Sequence, residues 1–494
     1  MKKKIVIIGG GIGGLSAGIY ALRAGHDAEI YEKNHIAGGE CMGWNRNGCH
    51  IDNCIHWLTG TDSSTSLWQV WNTLGAIDND TVYAKTEKFY SSRLDGKEAT
   101  LWKDLDRTEK ELIALSHEDE SEIRKLIQHV RYAESCTIPV DKPMDMMTVG
   151  DYIKMGKSMA NMPKVMKEYG KIDLTALGAR FHSPLLRKMM TDYLPPDYTA
   201  YSFLVSYATI TSGNGEIPIG GSLAMTNRII RRFTDMGGKL HTNSPVKSII
   251  IENGTAKGIE LENGEKVNAD EVISAVDTSF LFGRLLDRSY TPKDWASAYG
   301  SSRSYPVISG FQLAFVTDDS FSGEDTIFFG CDPIKIGSRS FDRVYVKNYG
   351  YDKSFAPEGK TVIQTNISQS DEDFLYWKSL SKDEYKAKKK ELADAVTARV
   401  IKEFPELEGK LTLLDCWTPL TYERYCNAYH GGYMAFVTKP GVKAIKCKGT
   451  VRGIKNLYIA GQWIMSPGGL PVAAASGKFA VQRILKKEKR SVVI

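Results

Sequence analysis

The chain has 494 residues, of which 42% are apolar and 25% charged; this is the composition of an ordinary globular protein, long enough for two domains. Lys and Arg outnumber Asp and Glu by 64 to 59, and no basic stripe interleaved with aromatics is present, so no nucleic-acid partner is expected. No uncharged apolar run reaches the length of a membrane span, which leaves peripheral membrane contact as the form such contact would take.

The stretch KIVIIGGGIGGLSAGIYALRAGHDAEIYE organises the N-terminal part. Residues 5–8 form an apolar β-branched run, the pattern of a buried parallel strand. Gly9, Gly11 and Gly14 follow in G-x-G-x-x-G spacing, with Gly13 between them, and residues 15–24 read as a helix. A second strand, 28–31, ends on Glu32. Gly9 permits the tight turn, Gly11 lets the backbone approach a pyrophosphate, and Gly14 lets the helix pack on the strand. The helix N-terminus favours phosphate charge, and Glu32 accepts ribose hydroxyls. The opening MKKK and its apolar run look superficially like a signal peptide. Cleavage there would remove the first strand and the glycine loop, so none is expected.

After Glu32 and Lys33 comes a second glycine doublet, Gly38 and Gly39, followed by Glu40. The pattern E-K-x-x-x-x-G-G resembles the FAD-binding opening of glutathione-reductase-like flavoproteins, which favours FAD over NAD. Residues 41–60 read as a glycine-punctuated loop and strand, with Asp52, His56 and Trp57 as candidates to line a flavin. The eight cysteines contain no C-x-x-C pair, so no metal site is expected and reduced thiols of a cytoplasmic protein are the default. Cys49 and Cys54 are the alternative, a redox pair.

Residues 104–135 read as a charged helix with an apolar face of Leu112, Leu115, Ile123, Leu126, Ile127 and Val130. Residues 144–190 hold nine of the fifteen methionines. Met155, Met159, Met162 and Met166 share one helical face, which Pro163 interrupts, and such a stripe usually means core. The alternatives are a flexible wall for a greasy substrate or a membrane-facing surface, since lysines flank it.

EIPIGGS introduces a helix over 223–236, and two Asn-Gly turns then divide a three-stranded antiparallel meander. Residues 271–275 return to the first sheet. Strands are expected over 305–316, 342–349 and 361–367, a helix over 382–403, and a functional loop over 418–436. The chain closes with a strand at 456–460, the loop GQWIMSPGG and a helix over 470–487. The fold class is α/β: a Rossmann-type FAD-binding domain with a β-meander, formed by residues 1–80, 219–289 and 451–494. A discontinuous α+β substrate domain takes residues 81–218 and 290–450.

With these motifs in place, the chain resembles the phytoene desaturase, carotenoid isomerase and retinol saturase family of FAD-dependent oxidoreductases. The resemblance runs nearly end to end. It rests on GGGIGGLSAG, EKNHIAGG, IDNCIHWL, EIPIGGS, the meander, TPLTYERY and NLYIAGQWIMSPGGLP. It implies that Glu32 meets the adenosine ribose, that Gly38 and Gly39 lie along the cofactor, and that Val246 meets the adenine. Gly461, Gln462, Gly469 and Leu470 would hold the ribityl phosphate and the pyrimidine side of the flavin. The last helix would aim its N-terminus at the flavin. Two residues depart from the pattern that the resemblance implies: Glu40 stands where many relatives carry Arg or Lys, and Gln462 where many carry Asp.

A flavin beside an apolar tunnel suits hydride exchange with a carbon of a lipophilic alkene or its saturated counterpart. Proton-handling candidates are Tyr422, Glu423, Arg424, Tyr425 and His430, with His56 from the loop near the ring. No second G-x-G-x-x-G pattern appears, so an NAD(P)H donor would dock at the flavin directly. Amine oxidation, with a cage of Trp57, Tyr425 and Tyr429, is the alternative enzyme reading. A redox-neutral isomerase and a flavin-free lipid- or prenyl-binding escort protein complete the set.

Overall fold

The computed structural model describes residues 2–318, 321, 325–445 and 447–494. A five-stranded parallel sheet joins distant parts of the chain in the order Leu457–Ile459, Glu271–Ser274, Lys4–Ile8, Asp27–Tyr31 and Lys239–His241. Alternation along the first strand divides its burial between two layers. Ile5 and Ile7 pack with helices Ile12–Arg23 and Leu470–Lys487, while Val6 and Ile8 pack with the meander. The two helices cross at small residues: a Cβ on Gly477 would overlap Ala17 N and Gly13 O. That crossing brings the N-terminus of the last helix beside the N-terminus of the first.

The meander Val246–Glu252, Thr255–Leu261 and Lys266–Asn268 is antiparallel as expected. Asn253 and Gly254 both take positive φ, 50° and 70°, as a tight mirror-image hairpin turn requires.

A mixed seven-stranded sheet forms the second layer, in the order Thr412–Trp417, Ser309–Asp318, Lys360–Gln369, Arg339–Asn348, Thr326–Ile336, Lys88–Leu94 and Lys97–Trp102. Neighbours are antiparallel except Thr326–Ile336 with Lys88–Leu94. One face, including Phe311, Val344, Val346 and Ile363, packs under helix Lys382–Glu403. Tyr345 and Phe328 turn the other way, into the helical layer of residues 105–211. Three of these strands match expectation and four do not. Lys88–Leu94 and Lys97–Trp102 flank Asp95-Gly96, both at positive φ, a hairpin signal carried by the sequence but outweighed by the polar strands around it.

The helical layer corrects three expectations. The charged helix is two, Leu105–Leu115 and Glu120–Glu134. The break between them holds Asp119, whose carboxylate accepts His182 N (2.6 Å) and Ser183 N (2.9 Å) ahead of helix Pro184–Asp192. The methionine stripe is also divided, between Val149–Ser158 and Met162–Tyr169, and Pro163 sits in the first turn of the second, where proline is tolerated. The stripe is not core: Val149–Ser158 buries none of its residues, and Met166 is 39% exposed, because these helices lie on the rim of the layer. The segment expected as a loop, 418–436, contains helix Pro419–Cys426. Proline at its start, a Thr418 capping box and Asn427 in the left-handed region at its end define that helix.

Candidate active site

A cavity of about 880 Å³ runs from the glycine loop and Glu32 to Leu194 and Tyr198, in the connection between two helices, and Val205 in helix Ala200–Thr211. At the Glu32 end its wall is largely main chain. Gly38 N donates to Gly10 O at 2.9 Å, so the second glycine doublet packs against the first loop. Glu32 is held by Gly10 N (2.8 Å), Asn34 N (2.9 Å) and Asn34 Nδ2 (2.8 Å). Helix Ile12–Arg23 starts at Gly11 and helix Leu470–Lys487 at Gly469, and neither has a side-chain cap. The first-turn residues of both helices line the same cavity. Two uncapped positive helix ends, a glycine cradle and an acid fit an FAD: one helix end suits the diphosphate, the other the flavin carbonyl edge.

Of the residues expected to bind cofactor, Gly9, Gly11, Gly13, Glu32, Lys33, Gly38, Gly39, Glu40, Val246, Gly461, Gln462, Gly469 and Leu470 all line the cavity. Gly14 stands behind the wall, where a Cβ would overlap the Gly9 carbonyl oxygen. Lys33 closes the outer wall, its Nζ donating to Arg424 O (2.8 Å) and Asn427 Oδ1 (2.7 Å).

The candidate proton-handling residues divide. His56 lies deep in the molecule and exposes its ring to the cavity. Tyr425 also lines it, but at the Glu32 end, where its carbonyl accepts from Asn34 Nδ2 at 2.9 Å. Tyr422, Glu423, Arg424 and His430 do not reach the wall. The Tyr422 hydroxyl is fully engaged: it accepts from Gln312 Nε2 (2.6 Å) and Trp417 Nε1 (3.1 Å) and donates to Asn53 Oδ1 (2.9 Å). His430 Nδ1 meets Asp371 Oδ1 at 2.7 Å, and its ring stacks on Phe374 and Tyr429. The Arg424 guanidinium covers the Tyr425 ring, and Glu423 pairs with Lys378 at 2.6 Å.

Family-level identification rests on this architecture together with a sequence match. Residues 12–485 match the family model described as flavin containing amine oxidoreductase. The chain belongs to that family. It is similar to a chloroplastic prolycopene isomerase of Daucus carota, with 28% identity over 57% of this chain and 46% of the carrot protein, so the match spans less than half of that relative. It is similar along 99% of its length to a 4,4'-diaponeurosporene oxygenase of Staphylococcus aureus, at 22% identity and over 100% of that protein. Among solved structures, an oxidoreductase from Methanosarcina mazei superposes with a TM-score of 0.61 at 18% identity, covering 97% of this chain and 100% of that one. Putrescine oxidase superposes with a TM-score of 0.61 at 14% identity, covering 98% and 99%. These likenesses show the FAD-binding Rossmann-like fold.

Within this flavin-containing family the chain's own features lie at the two ends of the cavity. Beside the start of helix Leu470–Lys487, Gln462 Nε2 donates to Glu40 Oε2 at 3.0 Å, while Gln462 Oε1 accepts from Gly469 N at 3.0 Å. Burial, then the nearby Asp277 charge, pushes Glu40 up to about 8 against the Gln462 hydrogen bond. Burial raises Asp277 to about 6, opposed by hydrogen bonds from Tyr429 and Ser279. At the far end the wall is aliphatic, aromatic and hydroxyl-bearing: Ile138, Met159, Leu194, Tyr198, Tyr201 and Val205, with no carboxylate among them. The amine cage does not assemble. Trp57 packs on Phe89 and Tyr193, Tyr425 sits by Glu32, and Tyr429 stacks on His430 outside the wall.

Between the ends lie residues that sequence reasoning missed. Tyr433 lines the cavity with Asn366 and Gln312, and burial raises its hydroxyl to about 12. Asn366 engages Tyr433 while its own Oδ1 has no partner among the described residues. Tyr433 did fall inside the polar-aromatic stretch 418–436, which was the available signal. Lys347 lies behind His56, its Nζ 3.5 Å from His56 O and over the Tyr349 ring. Burial lowers Lys347 to about 8, although Asp52 and Asp325 raise it. Burial first, then the Lys347 charge, lowers His56 to about 3, so its imidazole is neutral. A lone lysine within the aromatic run VYVKNYGY was the signal for Lys347.

Asp52 and Cys49 do not line the cavity, whereas Cys54 does. Asp52 accepts Ser222 Oγ at 2.6 Å and Cys54 N at 3.0 Å, tying its loop to the start of helix Gly221–Asp235. Cys54 has Cys41, not Cys49, as its thiol neighbour, and Cys49 is packed in a cluster with Tyr349 and Phe355; all eight cysteines are free.

Proposed function

We propose that the chain is an FAD-dependent oxidoreductase acting on a C=C or CH–CH bond of a lipophilic substrate, polyene or isoprenoid in character, as a saturase or desaturase. The observation that supports this reading is the carboxylate-free aliphatic and aromatic wall at the far end of the cavity. Such a wall stabilises a greasy chain by removing apolar surface from water, at roughly 25 cal/mol per Å². Bound FAD supplies hydride exchange at its N5. The chain's own residues do the rest. The loop N–H groups at Gly11 to Gly13 bind the diphosphate, Glu32 accepts the ribose hydroxyls, and Gly469 and Leu470 set a helix end against the flavin edge. Leu194, Tyr198 and Val205 exclude water. Tyr433, held protonated at its oxygen, is the group suited to give the substrate a proton, and neutral His56, whose Nδ1 lies 3.3 Å from the Tyr345 hydroxyl, lines the same cavity.

Residues 1–80, 219–289 and 451–494 form the FAD-binding part, and residues 81–218 and 290–450 the substrate part. Reduction of the substrate would draw electrons from NAD(P)H docking directly at the flavin or from another donor, and desaturation would pass them to oxygen, a quinone or another acceptor. The setting is cytoplasmic, with peripheral membrane contact through helix Val149–Ser158, which exposes Val149 (78%) and Ile153 (57%) beside Lys154 and Lys157. No described helix is long and apolar enough to cross a membrane.

Anaerobic titration with NADH and NADPH, followed by addition of a polyene, tests the reading. The expected result is a bound flavin bleached by one nucleotide and recoloured by the polyene. A protein that takes up no FAD, or whose flavin is reduced by primary amines and not by these partners, overturns it.

A further inference from the structure

Glu40 occupies an unusual place for an acid. It follows the glycine doublet that packs on the dinucleotide loop, it lines the cavity, and its surroundings carry negative charge or none. The groups facing it come from four elements: Asp277 after strand Glu271–Ser274, Cys54 from the loop after strand Cys49–Asp52, Tyr422 and Cys426 from helix Pro419–Cys426, and Gln462. None of them is a cation. The nearest lysine of the wall, Lys33, spends its ammonium on Arg424 O and Asn427 Oδ1.

A bound dinucleotide adds a dianionic diphosphate to this site. An ionised Glu40 would then stand among Asp277 and the diphosphate with a single amide as its donor, an arrangement that burial penalises heavily. Gln462 fits a different state. Its Oε1 is fixed by Gly469 N, which turns Nε2 toward Glu40 Oε2 and leaves the other carboxyl oxygen free to carry a proton. The two departures from the family pattern are thus one unit. A glutamine can hydrogen-bond a neutral acid, whereas an aspartate at the same place would face it with a second carboxylate.

We propose that Glu40 binds FAD as a neutral carboxylic acid, oriented by Gln462 and donating its proton to the cofactor, so that FAD affinity depends on keeping that proton. The inference rests on the cofactor reading above. The sign follows from linkage: the complex retains the proton, whereas the free protein loses it as pH rises past about 8. Binding above that point requires proton uptake and weakens, by about tenfold in dissociation constant per pH unit.

The test is the dissociation constant of FAD for the apoprotein, read by flavin fluorescence from about pH 6 to about pH 9.5. Wild type is expected to bind at constant affinity at the acid end and to weaken with a slope of one decade per pH unit at the alkaline end. Glu40→Gln, which keeps the shape and a donor, is expected to bind with a flat profile. Asp277→Asn removes the neighbouring charge and is expected to move the break to lower pH without abolishing it. FAD uptake with a flat wild-type profile overturns the proposal, as does a slope that survives Glu40→Gln or vanishes in Asp277→Asn. No FAD uptake at any pH overturns the cofactor reading and this proposal with it.

Discussion

At the Glu32 end of the cavity the wall is made of glycine main chain, two helix ends and one acid, all delivered by elements that pair in or pack on the parallel sheet. At the Tyr198 end it is made of side chains from helix Ala200–Thr211 and from the segments around Ile138, Met159 and Leu194. The first wall offers partial charges that suit any dinucleotide. The second offers shape, apolar surface and a few hydroxyls. Binding a common cofactor therefore depends on a few positions where a Cβ cannot be placed, whereas choosing a substrate depends on many positions where a larger or smaller side chain is tolerated.

The largest expected effect is at the main-chain wall. Gly14→Ala drives a methyl into the Gly9 carbonyl, a backbone atom that cannot step aside. It should weaken FAD binding by about a hundredfold or more, about 3 kcal/mol, measured as flavin content and dissociation constant. Equal FAD affinity in this variant would break the contrast at its strongest point.

Between the two walls, Tyr433→Phe should lower turnover by about a hundredfold while FAD affinity stays within about a factor of two, since the change removes a proton and no cofactor contact. Single-turnover flavin reoxidation measures it, and parallel loss of flavin would place Tyr433 on the cofactor side instead.

Lys347 sharpens the contrast from strand Arg339–Asn348, where a cation is buried with no carboxylate paired to it among the described residues. Its folded value, about 8 against an ordinary 10.5, means that the unfolded chain binds more protons between those pH values, so stability rises with pH across that window. The difference is worth about 3 kcal/mol, and the contact with the Tyr349 ring returns about 1. Lys347→Met should then be more stable than wild type at pH 7 by about 2 kcal/mol, and the gap should close toward about pH 10.5. Urea denaturation at several pH values reads it; a gap that widens with pH contradicts the assignment.

The smallest effect belongs to the side-chain wall itself. Val205→Phe narrows the far end and should raise KM about fivefold, about 1 kcal/mol, with FAD binding unchanged. A lost flavin in this variant would show the two ends to be one site rather than two.

What the sequence determined by itself is what short-range chemistry dictates. A tight turn needs Gly9, a close helix needs Gly14, and an Asn-Gly pair turns a hairpin, so the dinucleotide loop and the meander are legible within a few residues of each signal. The cofactor end of the cavity inherits that legibility. Tertiary structure decided the rest because it depends on contacts hundreds of residues apart. Tyr422 carried the polar character of a functional residue, yet Gln312 and Asn53 take up its hydroxyl. Tyr433 and Lys347 carried little signal, yet the loop after helix Pro419–Cys426, held by Tyr433 N to Ile308 O, sets one at the cavity and strand Arg339–Asn348 sets the other behind His56. The methionine stripe had the period of a core helix but lies on the rim, because period tells which residues share a face and not what that face meets. The pairing of Glu40 with Gln462 spans the chain from one end to the other, and only folding brings the two departures within one hydrogen bond.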